Sequence, residues 1–433
     1  MSMRAKLAPL ITSVITSRAL VKTRRRIADA RRIAGGRAHD VHFFHQPDDP
    51  YSHLAAQCLS DLQSRYDIRL HVHLVAPPAD EDAPEREALE AFSRRDAAAI
   101  APHYGVRFTD TGRQPSDSTH SAARRALAAS SNRIGVIVEI GEALWADDTQ
   151  TLERMPLVSA PKADDEFAEG TALRATLGHY LGAMFHYGGE WYWGIDRLPY
   201  LEARLSQAKL RLSGCQPVSA FRTRPAFMAA PARRRVRVEF FPSLRSPYSY
   251  LAMSEVLDLP NHYPVDLVHR PVLPMVMRGL PVPRHKGRYI MGDAKREADR
   301  IGVPFGRVAD PVGTPVLRGA SMFPYADAQG KGGEYLHEFC KMAWSEGIDL
   351  SREANLKKLV GRAGLDWDEA AELLDTEDWK DVFEANRLQI MESGLWGVPS
   401  FRLLDDAGNE LFSVWGRDRI WLLAHEIQKA LAD

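Results

Sequence analysis

Apolar and polar positions near the middle of the chain predict a strand followed by a helix. Residues 236–241 (VRVEFF) are mostly β-branched or aromatic, as in a buried strand, and apolar residues recur at helical spacing from Pro247 onward. Ser246 stands directly before this helix, where its hydroxyl can cap exposed backbone N–H groups, and proline is tolerated in the first turn. The pattern therefore predicts a strand-to-helix turn at Ser-Pro-Tyr-Ser, residues 246–249.

This pattern occurs twice along the chain. Residues 41–55 match residues 238–252 at a constant offset of 197 positions, and the same offset aligns Asp96 with Asp293. A repeat of this kind predicts two tandem copies of one fold, which we place at residues 39–212 and 236–433. The sequence between them, residues 213–235, is rich in Pro, Ala and Arg and is interpreted as a linker.

Both copies show the same order of elements. A second strand follows the first helix, a long helical stretch comes next, and a hairpin (400–412 in the second copy) and a helix close each copy. The helical stretch of the second copy is expected to contain helices at 335–347, 353–364 and 367–374, the last one capped by Asp366. The fold class is therefore α/β, with two tandem thioredoxin-like domains that each carry a helical insertion.

The first 38 residues form a separate basic segment, which contains ten Lys or Arg residues and a single acidic residue, Asp29. Leu7, Leu10, Ile11 and Val14 recur at helical spacing. One interpretation is a basic amphipathic helix for a membrane surface or an organelle address. The other is an extra helix that packs on the protein or is loosely tethered to it.

Composition excludes several classes of function. The formal net charge is −1 over 433 residues, which disfavours a dedicated nucleic-acid binder. Three widely separated cysteines without a CxxC pair indicate a reduced, cytoplasmic setting. The sequence has no HExxH motif and no Cys/His cluster, so no metal is expected. It also lacks a run of eighteen apolar residues, so no transmembrane segment is expected.

Three further short motifs suggest chemistry, and each also has an ordinary interpretation. Gly397-Val398-Pro399 precedes the hairpin and could be a plain turn, and Asp418 could cap the last helix. Lys286 and Tyr289 lie three residues apart on one helix face, where a solvated lysine and a core tyrosine are equally common. A lysine and a tyrosine so placed could also anchor a carboxylate and a phenolic oxygen.

The turn at 246–249 has the spacing of the Cys-Pro-His-Cys turn of DsbA-like thioredoxin folds, with serine at both cysteine positions. Together with the strand before it and Tyr-Leu-Ala after it, the turn resembles the 2-hydroxychromene-2-carboxylate isomerases and the kappa-class glutathione transferases. The resemblance implies two DsbA-like domains and glutathione as cofactor. In that family, the serine at the position of Ser246 lies against the glutathione sulfur.

The resemblance also assigns roles to the other candidate residues. It implies that Pro399 is cis and that Val398 pairs its backbone with glutathione. Asp418, with Arg417 before it, would receive the γ-glutamyl end, although relatives often have a small or uncharged residue at the position of Arg417. Lys286 and Tyr289 would bind the substrate, but the asparagine that many relatives carry shortly before them is absent.

The first copy differs at each of these places. Asp49 replaces the serine, Leu89 and Phe92 stand at the positions of the lysine and the tyrosine, and Ala183 replaces the proline. A carboxylate at this helix start would repel a thiolate. We therefore expect the active site in the second copy. The first copy is interpreted as a degenerate partner that could pair with the second within one chain.

The resemblance implies a glutathione-dependent isomerase. The glutathione thiolate would add reversibly to a conjugated, ring-opened aromatic small molecule, allow rotation and leave again. A kappa-like transferase that joins glutathione to an electrophile is an alternative, and a non-catalytic thioredoxin-like binding or scaffold protein is another. A DsbA-type dithiol cycle is excluded by the absence of a cysteine pair.

Overall fold

Two four-stranded sheets form the framework of the computed structural model, which describes residues 3–225, 235–280 and 282–432. The chain divides into an N-terminal unit, Lys22–Arg222, and a C-terminal unit, which comprises Met1–Val21 and Thr223–Asp433. The first part of the chain contains α1 (Met3–Ile15), α2 (Arg18–Ala34), β1 (Asp40–His45), α3 (Pro50–Ala56), α4 (Leu59–Arg65), β2 (Arg69–Leu74), α5 (Arg86–Tyr104), α6 (Asp117–Ala129), α7 (Arg133–Trp145), α8 (Thr149–Glu153), α9 (Ala160–Thr176), β3 (Met184–Tyr187), β4 (Glu190–Trp193) and α10 (Gly194–Gln207).

The second part has the same order of elements with a different set of inserted helices. It contains β5 (Val236–Phe241), α11 (Pro247–Leu257), α12 (Leu259–His262), β6 (Val265–His269), α13 (Arg284–Ile301), α14 (Thr314–Ala328), α15 (Gly332–Lys341), α16 (Glu353–Arg362), α17 (Trp367–Ala371), α18 (Trp379–Glu392), β7 (Ser400–Leu404), β8 (Glu410–Trp415) and α19 (Ile420–Ala432). A 3₁₀ turn, Arg417–Arg419, precedes the last helix.

The two sheets have the same strand order and the same strand directions. The orders are β2-β1-β3-β4 and β6-β5-β7-β8. Strand β1 is parallel to β2 and antiparallel to β3. In the same way, β5 is parallel to β6 and antiparallel to β7. The apolar residues of β1 and β5, among them Phe43 and Phe240, are fully buried. The apolar residues of the central strands are therefore part of the core of each unit.

A buried charge cluster lies on one face of the C-terminal sheet. The carboxylate of Glu239, which is 3% exposed, pairs with Arg270 at 2.9 Å and with Arg402 at 2.7 Å. The two guanidinium groups approach from β7 and from the end of β6. A buried carboxylate needs partners of this kind, since desolvation without them would be costly.

Three histidines take the corresponding places in the N-terminal sheet. His42 and His73 stand 197 residues before Glu239 and Arg270. His186 lies opposite His42 on the neighbouring strand, just as Arg402 lies opposite Glu239. His42 Nδ1 and His73 Nε2 are 2.9 Å apart, and the two rings stack at 5.2 Å between centroids. The charged cluster of one sheet is thus an imidazole cluster in the other.

The helices of the C-terminal insertion differ from the predicted ones in their ends. The helix expected at 335–347 begins earlier, at Gly332, and its last turn is a wider π-turn, Met342–Glu346. This turn contains Trp344, whose indole N–H donates to the Leu244 carbonyl at 3.2 Å. The predicted cap is confirmed: the Asp366 carboxylate accepts hydrogen bonds from the first N–H groups of α17.

The predicted linker contains no helix or strand where the structure describes it. Residues 226–234 of this stretch lie outside the described residues. The backbone N–H groups of Val218 and Ser219 donate to the Glu202 carboxylate at 2.6 and 2.9 Å, which attaches the beginning of the linker to the N-terminal unit. Near its end, the Pro225 carbonyl accepts a hydrogen bond from the Tyr263 hydroxyl in the C-terminal unit.

Among the helices of the described residues, none is both long enough and apolar enough to cross a bilayer.

Candidate functional site

Ser246 caps the first helix of the C-terminal unit. Its backbone is extended (φ −99°), Pro247 occupies the first turn of α11, and the Ser246 hydroxyl oxygen accepts the Ser249 N–H at 3.1 Å. The Ser246 side chain is half-buried, whereas Ser249 is fully buried and accepts the Ser243 N–H at 3.1 Å. Only the first of the two serines is therefore placed to meet a ligand at the helix start. Its contact with glutathione sulfur stays a prediction.

The loop before β7 lies at the same edge of the sheet. The Val398–Pro399 peptide bond is cis, as the resemblance implied. Because β5 and β7 are antiparallel and Phe241 pairs with Ser400, the loop comes close to the turn that leads from β5 into α11. Within the described part of the chain, no residue forms a hydrogen bond with the N–H or C=O of Val398. Both backbone groups can thus pair with a peptide-like ligand.

Lys286 extends from α13 to this loop. Its ammonium nitrogen is 5.5 Å from the centre of the Trp396 ring, a distance typical of a cation–π contact. The Trp396 ring in turn packs edge-on against Trp415 at 5.1 Å between centroids. A Cβ at Gly397 would lie 2.8 Å from the Trp415 ring, so a glycine is needed for this packing. Lys286 and the cis-proline loop therefore belong to one site.

A hydrogen bond fixes α13 over the start of α11. The Tyr248 hydroxyl donates to the buried Asp293 carboxylate at 2.7 Å. Lys286 and Tyr289 lie in the first two turns of the same helix α13, where both side chains are half-buried. The hydrogen bond thus attaches the helix that carries the two predicted substrate residues to the first turn of α11, and their contact with a substrate stays a prediction.

The predicted γ-glutamyl region lies directly after β8. Asp418 belongs to the 3₁₀ turn that follows Gly416, so it does not occupy the cap position. The Gly416 N–H donates to the Pro399 carbonyl at 2.9 Å, which joins this turn to the cis-proline loop. The turn that carries Asp418 is thereby attached to the residue that follows Val398.

Arg417 has a different environment from the one its assignment as a cofactor-binding residue suggested. Its guanidinium is 7% exposed and pairs with Glu297 on α13 at 2.6 Å and with Glu255 on α11 at 3.1 Å. The side chain therefore ties together the two helices of the site. The guanidinium is thus engaged within the protein, and the assignment of Arg417 as a cofactor-binding residue stays a prediction.

The corresponding region of the N-terminal unit is arranged differently. The Asp49 carboxylate caps α3 by accepting hydrogen bonds from the Tyr51 and Ser52 N–H groups at 3.1 and 3.2 Å and from the Ser52 hydroxyl at 2.9 Å. Burial raises the pKa of Asp49 to about 7, so this carboxyl is partly protonated near neutral pH. The expectation of a permanent anion was too simple.

The Ala183 N–H is occupied in the same region, because it donates to the Ser52 hydroxyl at 2.7 Å. Ala183 also has a positive φ of 54° where the other unit has its cis-proline. Phe92, at the position of Tyr289, is buried in the core. At these positions the N-terminal unit therefore lacks the serine hydroxyl, the tyrosine and the cis-proline of the C-terminal site.

These features of the C-terminal unit match a known family of domains. Residues 237–428 match the family model described as the DSBA-like thioredoxin domain. These residues form a DsbA-like thioredoxin domain. No curated protein matches the sequence significantly.

Several solved structures are similar to one part of the chain. A 2-hydroxychromene-2-carboxylate isomerase is 22% identical, with 45% of this chain and 95% of that chain covered and a TM-score of 0.38. The cytosolic disulfide reductase DsbM from Pseudomonas aeruginosa is 18% identical, with 45% and 97% covered and a TM-score of 0.36. A probable DsbA oxidoreductase from Streptomyces coelicolor is 18% identical, with 46% and 91% covered and a TM-score of 0.36.

Two residues of the DsbA-like domain's site were missed by sequence reasoning. Trp396 directly precedes the Gly-Val-Pro tripeptide, and its position there was the available signal. Tyr248 is the third residue of the Ser-Pro-Tyr-Ser turn, and its match with Tyr51 at the same offset as Asp96 and Asp293 could have suggested the hydrogen bond. The partners of Arg417 left no local signal, because Glu255 and Glu297 are distant in sequence.

Proposed function

We propose that the DsbA-like domain is a glutathione-dependent isomerase similar to the 2-hydroxychromene-2-carboxylate isomerases, acting on a conjugated aromatic carboxylate. One observation carries the proposal. A serine hydroxyl, and no thiol, stands at the start of α11, facing a cis-proline loop whose Val398 backbone has both hydrogen-bonding groups unused within the described residues. This arrangement suits a thiol brought by a peptide cofactor rather than a thiol of the protein.

The residues present fit glutathione. Val398 offers an N–H donor and a C=O acceptor to the cysteinyl backbone of the tripeptide, in the manner of an added strand. Asp418, held next to this loop, offers a carboxylate to the γ-glutamyl ammonium group. Because Arg417 is neutralised by Glu255 and Glu297, its positive charge does not oppose that ammonium group.

Bound glutathione supplies a thiolate that can add reversibly to a conjugated substrate. Ser246 donates a hydrogen bond toward the position of the sulfur, while its oxygen accepts the Ser249 N–H. The N-terminal end of α11 favours a negative charge there, since its exposed backbone N–H groups and helix dipole point to it. Ser246 thus holds the reacting sulfur without forming a bond to it.

Lys286 and Tyr289 bind the substrate in this proposal. The ammonium of Lys286 attracts the substrate carboxylate, and its contact with Trp396 fixes it above the cis-proline loop. The Tyr289 hydroxyl hydrogen-bonds the phenolic oxygen. An aromatic substrate could also stack on the Trp396 ring, which packs against Trp415.

Calorimetric titration with glutathione tests the proposal. Wild-type protein should bind glutathione, and Ser246→Ala and Asp418→Ala should both bind it more weakly. Loss of a hydrogen bond to a charged group is worth about 1.5–3 kcal/mol, so we expect an effect of about tenfold or more on the turnover of 2-hydroxychromene-2-carboxylate by Ser246→Ala.

Product analysis separates the related activities. An isomerase leaves the amount of glutathione unchanged, whereas a transferase consumes one glutathione for each product. If the wild type does not bind glutathione, the proposal is wrong and a non-catalytic binding role is favoured. Unchanged turnover in Ser246→Ala would remove the role of the serine.

A further inference from the structure

The first helix of the chain exposes its apolar side to solvent. Leu7, Leu10, Ile11 and Val14 recur three and four residues apart on α1, so they share one face, and they are 45% to 63% exposed. A helix that packs on a globular domain normally turns such a stripe toward the core. Single exposed apolar residues are common, but a continuous stripe of this kind marks an interaction surface.

The opposite side of α1 is fixed to the C-terminal unit by specific contacts. The Thr12 hydroxyl accepts the Val308 N–H at 3.0 Å, and Thr16 is 7% exposed. A Cβ at Gly306 would lie 2.4 Å from the Thr16 hydroxyl oxygen, so the helix approaches the backbone of this unit closely. Rotating α1 to bury its apolar stripe would break these contacts. The outward orientation of the stripe is therefore determined by the fold.

The chain on both sides of this stripe is strongly basic. Residues 1–38 contain ten Lys or Arg residues and one acid, although the whole chain has a net charge of −1. The acid, Asp29, is paired with Arg204 at 3.1 Å. Along the sequence the stripe is followed by Arg18, Lys22, Arg24, Arg26 and Arg31; Arg18 pairs with Asp299 at 3.2 Å, and its side chain stays 71% exposed.

We propose that α1, within the basic sequence of residues 1–38, binds the surface of an anionic lipid bilayer. The apolar stripe would enter the boundary between headgroups and acyl chains, and the basic side chains would contact anionic headgroups, as in other interfacial helices. A second copy of this chain suits the surface less well, because it would bring an equally basic segment against this one. The proposal is independent of the glutathione site.

Vesicle co-sedimentation of the full chain tests the proposal. Wild-type protein should sediment with vesicles of equal parts phosphatidylglycerol and phosphatidylcholine, and it should be released as the salt concentration rises. The double variant Ile11→Gln and Val14→Gln should lower the bound fraction about tenfold or more, because two apolar side chains lose their burial. The matched control is Val382→Gln with Leu388→Gln, two residues of α18 that are 45% and 46% exposed. This control should bind like the wild type.

Three results would overturn the proposal. One is absence of sedimentation of the wild type with the anionic vesicles. Another is equal sedimentation of the wild type and the Ile11→Gln, Val14→Gln variant. The third is that neither protein binds vesicles while light scattering detects a dimer of the wild type that the variant does not form. The apolar stripe would then join two copies of the chain. Glutathione titration of the same variant should match the wild type, so failure here is distinguishable from failure of the proposed enzyme.

Discussion

Tyr248 and Asp293 are joined by a 2.7 Å hydrogen bond, which links the first turn of α11 to the helix that carries Lys286. Tyr51 donates a hydrogen bond of the same length to Asp96 at the corresponding positions of the N-terminal unit. Both aspartates are nearly fully buried. The same hydrogen bond thus occurs beside the candidate site and again in the N-terminal unit, where no candidate site is assigned. Comparing the two allows the structural role of the bond to be separated from its functional role.

Tyr248→Phe should lower both stability and turnover. Loss of the donor leaves the Asp293 carboxylate less well satisfied, and we expect a decrease of about 1–3 kcal/mol in the free energy of unfolding of the C-terminal unit. Because α13 then loses its attachment to α11, kcat/KM for 2-hydroxychromene-2-carboxylate should fall more than the affinity for glutathione. Chemical denaturation, steady-state kinetics and calorimetry measure the three quantities.

Tyr51→Phe is the matched control for that variant. It should destabilise the N-terminal unit by a similar amount and leave turnover unchanged. An equal loss of turnover in the two variants would show that the bond acts on activity through general stability, and the assignment of the site to α11 and α13 would lose this support.

Lys286→Met should weaken substrate binding and spare glutathione binding. The substitution keeps an apolar side chain against Trp396 but removes the ammonium group, so we expect kcat/KM for a carboxylate substrate to fall by about tenfold, as for loss of one charge-assisted hydrogen bond. Lys295→Met is the control on the same helix, since Lys295 pairs with Asp299 at 3.0 Å. An unchanged kcat/KM in Lys286→Met would argue against the lysine as the substrate anchor.

Arg417→Met should destabilise the C-terminal unit. It removes the cation that Glu255 and the buried Glu297 share, but Glu297 keeps its pair with Arg300 at 3.0 Å. We therefore expect a loss of about 1.5–3 kcal/mol, as for a hydrogen bond to a charged group. The double variant with Glu297→Gln should recover part of this stability. If glutathione binding recovers with it, the guanidinium acts only by joining α11 and α13. Persistent loss of binding in a stable double variant would instead indicate direct contact with glutathione.

The imidazole cluster should make the N-terminal unit sensitive to acid. Burial and the neighbouring imidazoles lower the pKa of His73 to about 4, and burial is the main cause that lowers the pKa of His186 to about 4. The unfolded chain binds these protons with an ordinary pKa of about 6.5. Between about pH 6.5 and about pH 4 the unfolded state therefore holds more protons, and stability is lost as the pH falls through this window, by up to about 3 kcal/mol for each histidine.

The difference between wild type and a His73→Gln, His186→Gln variant isolates this effect. Asp49 contributes with the opposite sign, because its pKa is raised from about 4 to about 7 and stability is lost as the pH rises through this window. The subtraction cancels that contribution. We expect the variant to lose less stability than the wild type between pH 7 and pH 4, as measured by denaturation of the full chain. Parallel pH profiles of the wild type and the double variant would contradict the prediction.

Features that depend on near neighbours in the chain could be predicted from the sequence. Ser246 caps α11 because a hydroxyl three residues before an N–H suffices, and Asp366 caps α17 for the same reason. The strand at 236–241 followed from its β-branched and aromatic residues, and the closing hairpin followed from two short apolar strands around an Asp-Ala-Gly-Asn turn. The constant offset of 197 led to two copies, and the two sheets have the same strand order.

The tertiary structure decided what depends on residues far apart in the chain. The sequence by itself placed Lys286 and Tyr289 on one helix, but the crossing of α13 over α11 brings the Lys286 ammonium to Trp396, 110 positions away. The charge of Arg417 is neutralised by carboxylates on two other helices, and the apolar stripe of α1 faces outward because Thr12 and Thr16 bind distant backbone. Such contacts depend on how helices cross and pack. No local pattern of apolar and polar residues determines that crossing.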